Sequence, residues 1–277
     1  MKTEYTEEIS QGKRFKFGKN WEQFLVNLSQ EQIEEAKSSL LELLPFETLE
    51  GRTFLDIGSG SGLSSLVARS LGARVFSFDF DPHSVACTRE LKRRYFPGDE
   101  LWNIEEGSVL DEGYLESIGK FDVVYSWGVL HHTGSMWKAI ENSIERVNND
   151  GAYFIAIYND QGWTSKFWKK VKIVYCSSKL GSYGVKLFFL PYFFITSVGA
   201  GIVKFGTPLG YIKSYKANRG MSIYYDWIDW LGGYPFEVAK VEELFHFCAK
   251  RGLTLVNLIT TNQLGCNQLV FVKNRPE

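Results

Sequence analysis

Apolar positions along the chain recur with two periods. Residues 21 to 44, WEQFLVNLSQEQIEEAKSSLLELL, repeat every three or four positions, which predicts one helix that Pro45 closes. TFLDIG (53–58) is a short apolar run into glycine and predicts a strand, and SSLVARSLG (64–72) predicts a helix stopped by Gly72. The alternation continues. RVFSFD (74–79) predicts a strand, HSVACTRELKRRYF (83–96) a helix, and LWNIEEGSVL (101–110) a short third strand. FDVVYS (121–126), MWKAIENSIERV (136–147) and AYFIAIYN (152–159) predict a strand, a helix and a fifth strand. Strands alternating with helices imply an α/β fold built on a parallel sheet. Near the end, FEVAKVEELFHFCAKRG (236–252) predicts a helix, followed by strands at LTLVNLIT (253–260) and NQLVFVK (267–273). Only a hairpin joins strands so close in sequence, so the sheet is expected to be parallel with one reversed strand near an edge.

Residues 161–235 interrupt this pattern. They divide the chain into an N-terminal helical segment (1–50), a core (51–160 and 236–277) and an insert. Within the insert, 163–180 and 185–205 predict two helices around GSYG (181–184), the second kinked at Pro191. Seventeen residues between Lys186 and Lys204 carry no charge. As a helix they span about 25 Å, short of the roughly 30 Å of bilayer hydrocarbon. A lone span would also leave strands of one sheet on opposite sides of a membrane. Three roles remain for the insert: a helical lid over an acceptor pocket, an interfacial membrane surface, or an oligomer interface.

Composition is that of a globular protein, and the net charge of −1 gives the whole chain no general attraction to nucleic acid or membrane. Charge is unevenly placed, however. Residues 161–220 hold ten lysines and arginines and no acid, so the remainder carries a net −11. The four cysteines, Cys87, Cys176, Cys248 and Cys266, form no CxxC pair, and no metal-ligand cluster is visible. Together with MKTEYTEEIS, which is charged from its second residue and has no apolar core, this predicts a reduced, cytoplasmic protein, peripheral to the membrane if the insert is interfacial.

The chemistry centres on FLDIGSGSGLSSL. Glycines between a strand and a helix let the backbone approach a ligand at the carboxyl end of the strand. Two ligand classes compete. A dinucleotide site would need a third glycine where Leu63 stands. A carboxylate at Asp56, two residues before Gly58, repels a pyrophosphate and suits a cation.

With its companions this run resembles the class I S-adenosylmethionine-dependent methyltransferases over residues 50–160 and 236–273, most nearly those acting on small molecules, including quinone precursors. The resemblance implies a Rossmann-like seven-stranded sheet and S-adenosylmethionine as cofactor. It also implies a cofactor site at Asp56, Gly58, Ser59 and Gly60, with Asp79 on the ribose hydroxyls and Phe80 beside the adenine. GSVLD (107–111) resembles the loop bordering the adenine, through Ser108 and Val109, where the family often has Asp at the position of Ser108. FDVVYSWGVLHH (121–132) resembles the family's fourth-strand motif and adds Trp127.

Methyl transfer from a sulfonium is an in-line displacement, and an acceptor hydroxyl needs a base. His131 and His132 follow the fourth strand and are candidates for that base. Tyr158, Asp160, Tyr225, Asp226 and Trp227 are candidates to line an acceptor pocket, although the aromatic ones serve equally as subdomain core. FKFGKNW (15–21) suits a flap closed by Phe17 and Trp21, or a plain hydrophobic staple. Ser126-Trp127-Gly128-Val129 lacks the Asp/Asn-Pro-Pro-aromatic run of nucleic-acid amino-methylating enzymes, and no cysteine follows a proline. The expected acceptor is therefore a small molecule or lipid-linked compound, anionic if the basic insert faces it. The rivals are an RNA methyltransferase using the insert, a nicotinamide-dependent oxidoreductase, and a binding protein with a degenerate site.

Overall fold

A computed structural model describes residues 2–211 and 223–275. Lys213, Lys216 and Arg219 of the insert, with Met221 and Ser222, lie outside the described residues. Three helices come first: α1 (Lys2–Ser10), α2 (Gly18–Asn27) and α3 (Gln30–Leu43). The core follows as β1 (Thr53–Ile57), α4 (Leu63–Ser70), β2 (Arg74–Asp79), α5 (Pro82–Tyr95), β3 (Trp102–Glu106), α6 (Glu112–Ile118) and β4 (Phe121–Trp127). It continues through α7 (Met136–Glu145) and β5 (Val147–Tyr158). The insert supplies α8 (Trp163–Ser177), α9 (Lys179–Phe205) and α10 (Ile223–Gly232). Then α11 (Val241–Ala249), β6 (Leu253–Ile259) and β7 (Cys266–Lys273) complete the chain.

The seven strands form one sheet in the order β3-β2-β1-β4-β5-β7-β6. The first five are parallel, and β7 runs antiparallel to both its neighbours, β5 and β6. The one reversed strand is thus β7, next to the edge. Alternation along each strand feeds two cores. Leu55 and Ile57 of β1 pack with Val124, Tyr153, Ile155 and residues of α7 and α11 on one face. Phe54 packs with Val123, Phe154 and residues of α3, α4 and α5 on the other. Each such side chain, fully buried, stabilises the fold by about 1.5–3 kcal/mol.

Four expected boundaries are corrected. The first predicted helix is two, because the chain breaks at Leu28–Ser29, where Ser29 is extended and caps α3: its Oγ accepts from Gln32 N while the Gln32 side chain accepts from Ser29 N. GSYG does not divide the insert helices. The break is Ser178, extended at φ −164°, whose hydroxyl accepts from Gly181 N, and α9 then runs 27 residues through both glycines and Pro191. The last core helix starts at Val241, because residues 236–240 are drawn into pairing beside β5 through an Asn159–Ala239 bridge. Strand β5 begins at Val147, five residues early.

A third apolar cluster joins insert to core. Trp168, Val171, Tyr175 and Val185 of α8 and α9 are buried with Leu231 and Phe236, and Phe15 and Tyr158 pack against them.

Candidate active site

The glycine turn leaves the carboxyl end of β1 with Gly58 at φ 75° and Gly60 at φ 55°. A side chain at Gly58 would run into Val129 as well as strain the backbone. The turn is pinned from the next strand: Gly58 N and Ser59 N donate to Phe78 O at 2.8 and 3.1 Å. Ser59 Oγ lies 2.9 Å from Thr88 Oγ1 on α5.

Asp79, at the tip of β2, is partly exposed and faces this turn. Its Oδ2 accepts from Gly60 N (2.9 Å) and its Oδ1 from Asp81 N (2.8 Å). Burial pushes its carboxyl up to about 6, while the two N–H donors pull the other way. Asp56 lies beneath the turn, buried, and accepts from Ser65 Oγ at 2.5 Å. Ser65 donates to the carboxylate, so Ser77, 2.6 Å away, donates to Ser65, and Trp102 Nε1 donates to Ser77 (2.9 Å). This one-way donor chain ends on Asp56. Burial pushes the Asp56 carboxyl up to about 7 against the Ser65 bond, with the Asp79 charge adding to the rise.

Phe80 is flanked by the N-terminal segment. Tyr5 meets its ring edge-on, with centroids 5.8 Å apart, and the Arg14 guanidinium lies 4.8 Å from its centroid. Tyr5 Oη and Gly18 N both donate to Asp81 Oδ2 (2.7 and 2.9 Å). Trp21 comes so close to Gly60 that a β-carbon there would sit 3.2 Å from the indole. Phe17 lies 4.8 Å from the His132 ring. Ser108 holds its own turn, accepting from Leu110 N, and Val109 is buried in the core with its carbonyl bonded to Asn142. Trp127 is exposed and leans away from the glycine turn, its Nε1 donating to Gln268 on β7 at 3.3 Å.

The two histidines are placed differently. His131 is fully enclosed, its ring 4.0 Å from Tyr158. Its Nδ1 accepts from Tyr158 N (3.3 Å), so Nε2 carries the proton, and Nε2 has no hydrogen-bond partner among the described residues. His132 Nδ1 lies 2.6 Å from Pro235 O. A carbonyl only accepts, so Nδ1 carries the proton and Nε2 holds the lone pair. Burial drives His131 well below its usual range, helped by His132 and Lys172. Burial also pushes His132 down to about 3, against the Pro235 bond and with Lys172 and Arg14 adding to the fall. Residues 234–239 frame both: Glu237 N donates to His131 O, and Ala239 N to Tyr158 O.

Of the other expected residues, Tyr158 sits at the centre, its ring within 6 Å of Trp230 and Phe236 as well as both histidines. Asp160 closes the turn into α8 by accepting from Gly162 N (2.8 Å). On α10, Trp227 packs on Phe193 of α9, and burial pushes Asp226 up to about 6. Tyr225 lies on the same helix, with its side chain outside the described residues.

Lys172 was not anticipated. It is completely buried beside this cluster, donates to Trp230 O, and stands 4.3 and 4.9 Å from the Trp230 and Phe236 ring centroids. Burial pushes its ammonium down to about 7, with Cys176 and Asp229 opposing. The signal was present in sequence: Ser165, Trp168, Lys172 and Tyr175 share one helical stripe, whereas Lys166, Lys169 and Lys170 lie off it and are exposed.

Residues 29–176, more than half of the chain, match a protein family described as Methyltransferase domain. The chain belongs to this family. Its fold is that of the class I S-adenosylmethionine-dependent methyltransferases, and S-adenosylmethionine is the cofactor the family brings; the nicotinamide alternative is set aside. Over 85 residues the chain is 32% identical to a ribosomal protein L11 methyltransferase of Helicobacter hepaticus, covering 30% of this chain. The match spans only 26% of that relative's length. Among solved structures, it resembles magnesium protoporphyrin IX methyltransferase from Synechocystis with bound SAH, at TM-score 0.52 and 14% identity, over 88% of this chain and 83% of that one. An O-methyltransferase family protein from Burkholderia thailandensis gives TM-score 0.54 at 13% identity, over 90% and 57% of the two chains. These structural likenesses speak for the fold.

The residues at this turn suit S-adenosylmethionine. A sulfonium nucleoside is cationic, and the turn that would receive it has one carboxylate at its rim, Asp79, and another beneath it, Asp56. The rim carboxylate also offers acceptors to sugar hydroxyls.

Proposed function

We propose that the chain methylates an oxygen of a small, partly apolar acceptor, with His132 taking the acceptor's proton. The cofactor supplies an electrophilic methyl carbon on a sulfonium. The observation that carries this reading is the bond between His132 Nδ1 and Pro235 O, which fixes the tautomer and leaves Nε2 as the lone-pair nitrogen. The imidazole is neutral near pH 7, so the lone pair is free. The burial that pushes it down to about 3 also weakens it as a base, so the case for His132 rests on its tautomer. His131 has the opposite tautomer and serves to hold the wall: its lone pair is spent on Tyr158 N.

Asp79 positions the nucleoside sugar, and Trp21 and Phe17 close the N-terminal side. Tyr158, Trp230 and Phe236 give the acceptor side an aromatic wall, and Lys172 places an ammonium behind it, which suits an acceptor bearing negative charge. The exposed apolar helix of the insert favours a lipid-linked form of that acceptor.

The test is incubation of the chain and its His132→Ala variant with methyl-labelled cofactor and extracts of small molecules, lipids, RNA and protein. The expected result is label on an oxygen in the small-molecule or lipid fraction. The variant should lose about a hundredfold or more in kcat while keeping its cofactor affinity. Label in RNA or protein, or a variant at full rate, would contradict the proposal.

A further inference from the structure

The insert is turned inside out. On α9 only Val185, Ser197 and Gly201 are buried, while its outer face is Leu180, Leu187, Phe188, Ile195, Ile202 and Val203. Leu187 is 80% exposed, Phe188 73% and Ile195 68%. On the adjoining α8, Trp163 is 78% exposed and stacks on the half-exposed Phe167. Soluble helices put such residues against the body, and a contiguous apolar face this long marks a surface with an occupant.

Charge identifies the occupant. Residues 161–220 contain ten cations and no acid, and Lys166, Lys169, Lys170, Lys179 and Lys204 on α8 and α9 are exposed. The rest of the chain is net −11, so the molecule is electrically polarised with the insert as its positive end. Self-association through this face would bring lysines against lysines. An anionic bilayer meets both features, taking the apolar side chains among its acyl chains and the lysines at its headgroups.

We infer that α8 and α9 dock the protein on an anionic membrane surface, with α9 lying in the plane of the interface. At about 1.5 Å per residue α9 is roughly 40 Å long, enough to cross a bilayer. Yet β5 precedes the insert and β7 follows it, and the two pair directly, so both ends of the insert stay on one side. Trp163 sits at the N-terminus of α8, as interfacial tryptophans do.

The test is sedimentation of the full chain with phosphatidylcholine vesicles, with and without phosphatidylglycerol. Two variants accompany it, Leu187→Glu/Ile195→Glu and Lys166→Glu/Lys170→Glu, all four positions being exposed. Cofactor binding of each variant checks its fold. The expected result is binding to the anionic vesicles, released by salt, and weakened at least about tenfold in both variants. Three outcomes would overturn the inference: no binding to anionic vesicles, binding that neither variant weakens, or a dimer that the first variant dissociates in a chain that ignores vesicles. None of these readouts depends on the acceptor or on turnover.

Discussion

At the scale of single residues, neighbouring groups decide what each ionisable side chain does. His131 and His132 are adjacent in sequence, yet a backbone N–H fixes one tautomer and a backbone carbonyl the other. That difference was illegible in sequence, because both bonds come from distant segments, β5 and residues 234–239. Lys172 shows the same point in energetic form. Its folded-state ammonium is pushed down to about 7, whereas an unfolded lysine titrates near about 10.4. Between these values the unfolded chain holds a proton that the folded chain has released, so stability should rise with pH. The slope contributed is at most about 1.4 kcal/mol per pH unit from roughly pH 7 to pH 10. Lys172→Met removes the titration. Urea unfolding at several pH values should therefore show wild type gaining on the variant as pH rises, and a gap independent of pH would refute the buried, destabilised ammonium.

At the scale of elements, helix ends proved to be local decisions. SQEQ (29–32) carries a capping box, and the structure breaks the predicted helix there despite unbroken periodicity on either side. Ser29→Ala should cost about 1 kcal/mol of unfolding free energy, measured by denaturant titration, since one capping bond is lost and Gln32 keeps the other. No change would mean that packing alone sets this boundary. The glycines of GSYG lacked that authority: Ser178, one residue upstream of α9, makes the break, and α9 absorbs Gly181, Gly184 and Pro191. Residues 236–240 read as helix by composition but are held extended beside β5 by Ala239 N to Tyr158 O. The central strands β1, β4 and β5 were legible because burial on both faces leaves near-continuous apolar runs, although β5 begins five residues before its run.

At the scale of the whole molecule, strand alternation and the closing hairpin sufficed to anticipate a parallel sheet with one reversed strand, because connection lengths permit little else. What pattern did not disclose is how the outer segments gather at the carboxyl edge of that sheet. Trp21 at Gly60 is where the flap reading of FKFGKNW put it, but Arg14 over Phe80 and Tyr5 on Asp81 join the N-terminal segment to the neighbourhood of the cofactor turn with no signal in the sequence. The central claim is that this edge holds S-adenosylmethionine, with Asp79 as the sugar's acceptor. Its most direct test is calorimetric titration of S-adenosylmethionine into the full chain and into Asp79→Ala. The account predicts one saturable site in the wild type and a loss of about 1–3 kcal/mol, roughly 5- to 150-fold, in the variant. Equal affinities in the two proteins, or no binding to the wild type, would contradict it.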